Sequence, residues 1–189
     1  FVCLYTTLGI TIIGIYLSDY EVGIYTGAQK IIVAILMLTS MPLNTSLYPM
    51  MSRKFRENRT EGIRFFKKTL KISILAGIII SAMTFFLSEL VVKILLGGMY
   101  EDSITIIRAL SPLPLLVIIA SILTVLGLYG LQQQKKAPIV GLTVGIICVV
   151  ANLFFIPKYG IIGAAIAWAC AQIAEILIDI TLLSANRKR

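Results

Sequence analysis

Histidine is absent from the 189 residues. That absence removes His-based metal sites and the Ser/His and Cys/His pairs of nucleophilic catalysis from this chain. No glycine-rich phosphate loop of the Walker type occurs either, so an ATP-driven mechanism would need another polypeptide. Charge is scarce as well: Asp, Glu, Lys and Arg make up 14% of the chain, against about a quarter in a soluble domain. The three cysteines, Cys3, Cys148 and Cys170, all fall inside apolar runs. There a thiol reads as a small apolar residue with no disulfide role. No metal, cofactor or catalytic residue is expected.

What fills the sequence instead is hydrocarbon. Hydrophobic residues account for 58% of the chain, and they gather in six runs that approach or exceed the roughly 20 residues needed to cross a bilayer. The runs are Phe1 to Leu17, Gly23 to Met50, Leu70 to Leu96, Ser111 to Leu131, Pro138 to Ile156 and Gly160 to Leu183. Only helices or closed barrels satisfy the backbone in lipid, and these runs lack the period-2 alternation of barrel strands. An all-α integral membrane protein follows, with six transmembrane helices over 1–183 and a basic tail over 184–189.

The cations are distributed unevenly between the runs. SRKFRENRTEGIRFFKKTLK, between the second and third, carries Arg53, Lys54, Arg56, Arg59, Arg64, Lys67, Lys68 and Lys71 against Glu57 and Glu61. Adding Lys135, Lys136 and the terminal Arg187, Lys188 and Arg189 places thirteen of the 17 basic residues in alternate gaps. The intervening gaps, SDYE and GMYEDS, are acidic, and Lys158 is the exception on that side. By the positive-inside rule the basic gaps and the C-terminus face the cytoplasm. The same cations attract anionic membrane lipids. No aromatic-basic platform accompanies them, so nucleic acid is not an expected partner.

Polar groups within the runs are functional candidates, because each is costly in lipid unless paired. Lys30 sits seven residues after Gly23, about 10 Å along the helix, with Thr26 and Gly27 one turn before it. It can snorkel outward or face a cavity that attracts an anionic substrate. In the last run Trp168, Gln172, Glu175 and Asp179 recur at helical spacing and share one stripe. Asp179, close to Leu183, is expected at the interface; Glu175 lies deeper and is the candidate for proton or cation coupling. Glu89 and Lys93 form an i, i+4 pair read as structural. Arg108, on the amphipathic approach EDSITIIRALSP, either anchors to headgroups or guides a phosphate.

Other residues speak to packing. Pro42 and Pro49 are expected to interrupt the second run, and Pro112 and Pro114 to start the fourth. Asn152 and IPKYGIIGAA end the fifth run and open the sixth across a short turn. Gly160, Gly163, Ala164, Ala165 and Ala167 then allow close helix approach.

Four strings, VGIYTGAQKI from Val22, SLYPMMSRKF from Ser46, ILLGGMYEDSITIIRALSPLPLL from Ile94 and NLFFIPKYGIIGAAIAW from Asn152, occur in this order along the chain. In that order they resemble the C-terminal half of bacterial polysaccharide-biosynthesis flippases, the Wzx-type branch of the multidrug/oligosaccharidyl-lipid/polysaccharide exporter superfamily. The resemblance implies helices seven to twelve of a twelve-helix transporter in the bacterial inner membrane. The whole protein would move an undecaprenyl-pyrophosphate-linked oligosaccharide to the outer leaflet by alternating access. It implies a cationic cavity too: Lys30 matches the family's lysine after Tyr25-x-x-Ala28, and Arg108 its arginine before the Leu-x-Pro-Leu-Pro stretch. The N-terminal half of the same transporter is then a partner. A run that opens at Phe1 without an initiator Met or leader fits that expectation.

Competing readings remain at this level. A multidrug exporter of the same superfamily would want acidic rather than basic cavity residues. A peptidoglycan-precursor flippase is a near neighbour. A membrane polymerase or glycosyltransferase should carry a large outer loop or a carboxylate-rich domain, which the short gaps here do not provide. A purely structural membrane subunit is the fourth.

Overall fold

The computed structural model describes residues 2–95, 102–129 and 136–187, all but their short connections helical and without a strand. In chain order the helices are α1 Val2–Tyr16, α2 Asp19–Glu57, α3 Arg59–Phe86, α4 Ser88–Leu95, α5 Ser103–Leu110 and α6 Leu113–Ser121. A π-helical segment, Ile122–Tyr129, continues α6, and α7 Ala137–Tyr159 and α8 Ile161–Arg187 complete the set. The expected run boundaries Phe1, Leu96 and Leu131, and the basic residues Lys135, Lys188 and Arg189, lie outside the described residues.

Five segments are long and apolar enough to cross a bilayer: Asp19–Glu57, Arg59–Phe86, Ser103–Val125, Ala137–Tyr159 and Ile161–Ser184. The α1 helix has 15 residues, about 22 Å at about 1.5 Å per residue, which is short of a full crossing. The exterior is built for lipid: Leu38 and Phe86 are each 78% exposed, an arrangement water would penalise. The interior packs Ile13, Ile24, Ile32, Leu110, Leu113, Ile156 and Trp168 among α1, α2, α5, α6, α7 and α8. A smaller cluster of Met51, Ile118 and Ile122 joins α2 to α6 and the π segment.

Two boundaries differ from the sequence reading. The basic stretch is not a loop: α2 runs through Pro42 and Pro49 to Glu57, and α3 begins one residue after Asn58. Asn58 serves both helices, its N–H donating to the Lys54 carbonyl at 3.0 Å and its Oδ1 accepting from the Thr60 N–H at 2.9 Å. At 39 residues, α2 is about 58 Å long, nearly twice the hydrocarbon thickness. The basic residues therefore ride on a helical hairpin. The fourth crossing also begins earlier than Ser111, because the approach containing Arg108 is α5 and joins α6 through the turn at Ser111 and Pro112.

Local capping explains the turns between crossings. Ser18 opens α2 with a reciprocal capping box: its Oγ accepts from the Glu21 N–H, and the Glu21 carboxylate accepts from the Ser18 N–H at 3.0 Å. This satisfies donors that a helix start leaves unpaired. Between α7 and α8, Gly160 takes φ 60° and ψ −139°, a region essentially restricted to glycine. A Cβ on Gly163 would lie 2.3 Å from the Phe155 carbonyl oxygen, so only glycine lets the hairpin close this tightly. Helices do not associate in lipid by the hydrophobic effect, and such close packing takes its place.

Gly163→Val should therefore spread α7 from α8 and lose at least the ~1–3 kcal/mol typical of overpacking. Unfolding midpoints in detergent check this, and a wild-type midpoint for Gly163→Val would refute the close approach.

Candidate functional site

Arg108 is the sixth residue of α5, and it is held from three sides. Its Nη2 donates to Glu89 Oε1 at 2.7 Å and its Nε to Ser88 Oγ at 3.1 Å. The guanidinium lies 5.6 Å from the centre of the Phe85 ring. Ser88, fully buried, donates in turn to the Phe85 carbonyl at 2.9 Å. Glu89 thus answers Arg108, and the expected Glu89–Lys93 pair is not among the ion pairs of the described residues. Both residues lie in α4, so their helical spacing is intact, but Glu89 is taken by Arg108 of α5. The Arg108 and Glu89 side chains are 40% and 57% exposed, so solvent screening keeps the pair modest. Arg108 retains further N–H donors.

The carboxylates of α8 form a second locus. Gln172 Nε2 donates to Glu175 Oε2 at 3.2 Å, and Glu175 is half-buried. Asp179, one turn further, is wholly buried, with Thr124 Oγ1 donating to its Oδ2 and its Oδ1 unpartnered. Asp179 is thus enclosed by protein, five residues before the end of its crossing segment at Ser184. Helix α8 runs past Leu183 to Arg187, and α6 and the π segment pack against it. Thr124 belongs to the π segment, a helical form that recurs at functional sites. The stripe read from the sequence holds: Trp168, Gln172 and Asp179 are buried along one face.

Lys30 is exposed on α2, eleven residues after Asp19, about 16 Å from the start of the helix. Its neighbours Gln29 and Ile31 are buried, and Lys30 takes part in no ion pair among the described residues. No described contact joins Lys30, Arg108 and Glu175. They occupy separate places on the bundle.

A small polar cavity lies in the interior between α1, α2, α7 and α8, lined by Tyr25, Gln29, Asn152 and Trp168 with Gly9 and Ala164. Asn152 was expected to end its run; instead it is buried inside α7, which continues to Tyr159. Cys148 and Cys170 are free thiols, as small apolar residues would be.

Buried carboxylate, amide and indole groups within a multi-pass bundle whose surface is hydrocarbon define an all-α integral membrane protein. A family model for polysaccharide biosynthesis proteins matches residues 2–105. The chain belongs to that family. It is 28% identical over 131 residues to a protein of Escherichia coli strain K12 named "Putative O-antigen transporter", across 69% of this chain and 30% of that relative. The chain thus spans less than a third of the relative's length. No solved structure matches it.

The sequence reading singled out Arg108 and Asp179 but not their partners Ser88 and Thr124. A hydroxyl in an apolar run was the available signal; which helix it meets was not. Thr124→Val should leave the buried Asp179 without its donor and lower stability by about 1–3 kcal/mol. Thermal unfolding in detergent measures it, and an unchanged midpoint would show that the hydroxyl contributes nothing.

Proposed function

We propose that the chain is the C-terminal lobe of a bacterial flippase that carries an oligosaccharide on undecaprenyl pyrophosphate from the inner to the outer leaflet of the plasma membrane. Family membership and the description of the E. coli relative support a transporter rather than an enzyme. The observation that carries the mechanism is Lys30, a cation on the exposed face of α2 without an ion-pair partner among the described residues. A pyrophosphate crossing a low-dielectric region requires a nearby cation, and a charge pair at about 4 Å is worth about 4 kcal/mol at an effective dielectric of about 20. Lys30 attracts the pyrophosphate, Arg108 offers its remaining donors to it, and the sugars follow a wet path while the lipid tail stays in the bilayer. An N-terminal bundle supplies the surface against which this lobe rocks.

Glu175 couples transport to an ion. Half-buried and bonded to Gln172, it can bind and release a proton or cation as the lobe alternates. The basic helical hairpin around Asn58 and the C-terminus face the cytoplasm. Cysteines placed at Asn58 and at Asp102 should accordingly be labelled from opposite sides, Asn58 from the cytoplasm; periplasmic labelling at Asn58 would invert the topology.

In the full-length transporter, Lys30→Ala should abolish the appearance of lipid-linked oligosaccharide in the outer leaflet at matched protein levels. Lys30→Arg should retain part of it, since the charge persists with altered geometry. Normal exposure of the oligosaccharide in the Ala variant would leave Lys30 as a snorkelling residue outside the mechanism.

A further inference from the structure

Asn152 and Trp168 stand eight residues before and eight residues after Gly160, so the α7–α8 hairpin brings them to one level, about 12 Å from its turn. Both are buried, at 3% and 4% exposure. Asn152 Oδ1 and Trp168 Nε1 have no hydrogen-bond partner, although the two side chains line the same cavity. The amide orientation is set from the other end: Asn152 Nδ2 donates to the Cys148 carbonyl at 2.8 Å. Oδ1 is thereby left as the free acceptor. The indole N–H can only donate. Gly9 approaches the same amide, an added Cβ lying 3.7 Å from Nδ2, and Tyr25 and Gln29 of α2 close the remaining wall.

A free buried donor beside a free buried acceptor selects the occupant by elimination. An anion would meet the amide oxygen and a bare cation the indole hydrogen, each with the wrong polarity. A sugar is too large for a cavity with room for about one small molecule. Leaving both groups unpaired in a low-dielectric interior costs about 1–3 kcal/mol apiece, and buried polar groups so placed are ordinarily bridged by water.

We propose that this cavity binds one ordered water molecule that accepts from the Trp168 indole and donates to Asn152 Oδ1, linking α8 to α7 beside the Tyr25 and Gln29 face of α2. The site requires only the fold and stands whether or not the lobe flips a lipid.

Trp168 is the one tryptophan among the 189 residues, so it reports on the site without ambiguity. In the chain labelled with 15N-tryptophan and held in nanodiscs, the single indole N–H resonance should show a direct cross-relaxation peak to a long-lived water. Asn152→Leu should abolish that peak while the helical circular dichroism stays unchanged. Should that variant fail to fold, Ala164→Val provides the second arm. It keeps both polar groups, fills the cavity with methyls and should also expel the water. An indole without a water peak in the wild-type chain would overturn the proposal, as would a peak persisting in either folded variant. A shift of the indole resonance on replacing choline with sodium would do the same, by assigning the cavity to a cation.

Discussion

Hydrocarbon offers no hydrogen bonds, and the rest of this structure depends on that constraint. Every backbone amide that crosses the bilayer has to be paired within its own helix, which is why the apolar runs are helical. Where helices begin, side chains take over: Ser18 and Glu21 close the start of α2, and Asn58 serves α2 and α3 together. The same constraint governs polar side chains between and within the helices. Arg108 is answered by Glu89 and Ser88, Asp179 by Thr124, and Asn152 by the Cys148 carbonyl. Each pairing crosses between helices or locks a rotamer, so polar satisfaction fixes helix positions that apolar contact alone would leave loosely specified.

Packing supplies what the hydrophobic effect does not supply in lipid. The α7–α8 hairpin is the clearest case, since Gly163 lies against the Phe155 carbonyl and Ala164, Ala165, Ala167 and Ala171 are buried on the same helix. Small side chains bring backbones close, and dispersion contacts accumulate where lipid tails would otherwise sit. The large residues go outward, as Leu38 and Phe86 do. Against that lipid-facing exterior an exposed lysine on α2 stands out, because nothing in the described lobe neutralises it.

Separation of the charged loci bears on the functional reading. Lys30 lies on an exposed face, Arg108 in an α4–α5 corner, and the carboxylate pair between α8 and the π segment. If Lys30 binds substrate and Glu175 an ion, as proposed, their separation suits coupling. Binding of one charge can then bias the helix packing sensed by the other.

Much of this was legible from residues alone. Run length and composition dictate membrane-crossing helices, because the cost of an unpaired amide in lipid is independent of tertiary detail. The 3.6-residue period put Trp168, Gln172, Glu175 and Asp179 on one stripe, and the small residues after Gly160 announced a close hairpin. Depth and partnership were not legible. Asp179 gave no sign from sequence that it would be enclosed by protein and bonded to Thr124. Glu89 looked committed to Lys93 because i, i+4 proximity is local, yet packing of α4 against α5 brings it Arg108. The basic stretch looked like a loop because charge ends a hydropathy run without ending a helix. Sequence by itself determined that the chain is all-helical and crosses a membrane several times, since that is a property of apolar segments against their solvent. Only tertiary structure decided which polar group meets which, because those contacts join residues as far apart as Thr124 and Asp179, and their geometry exists only once the helices have packed.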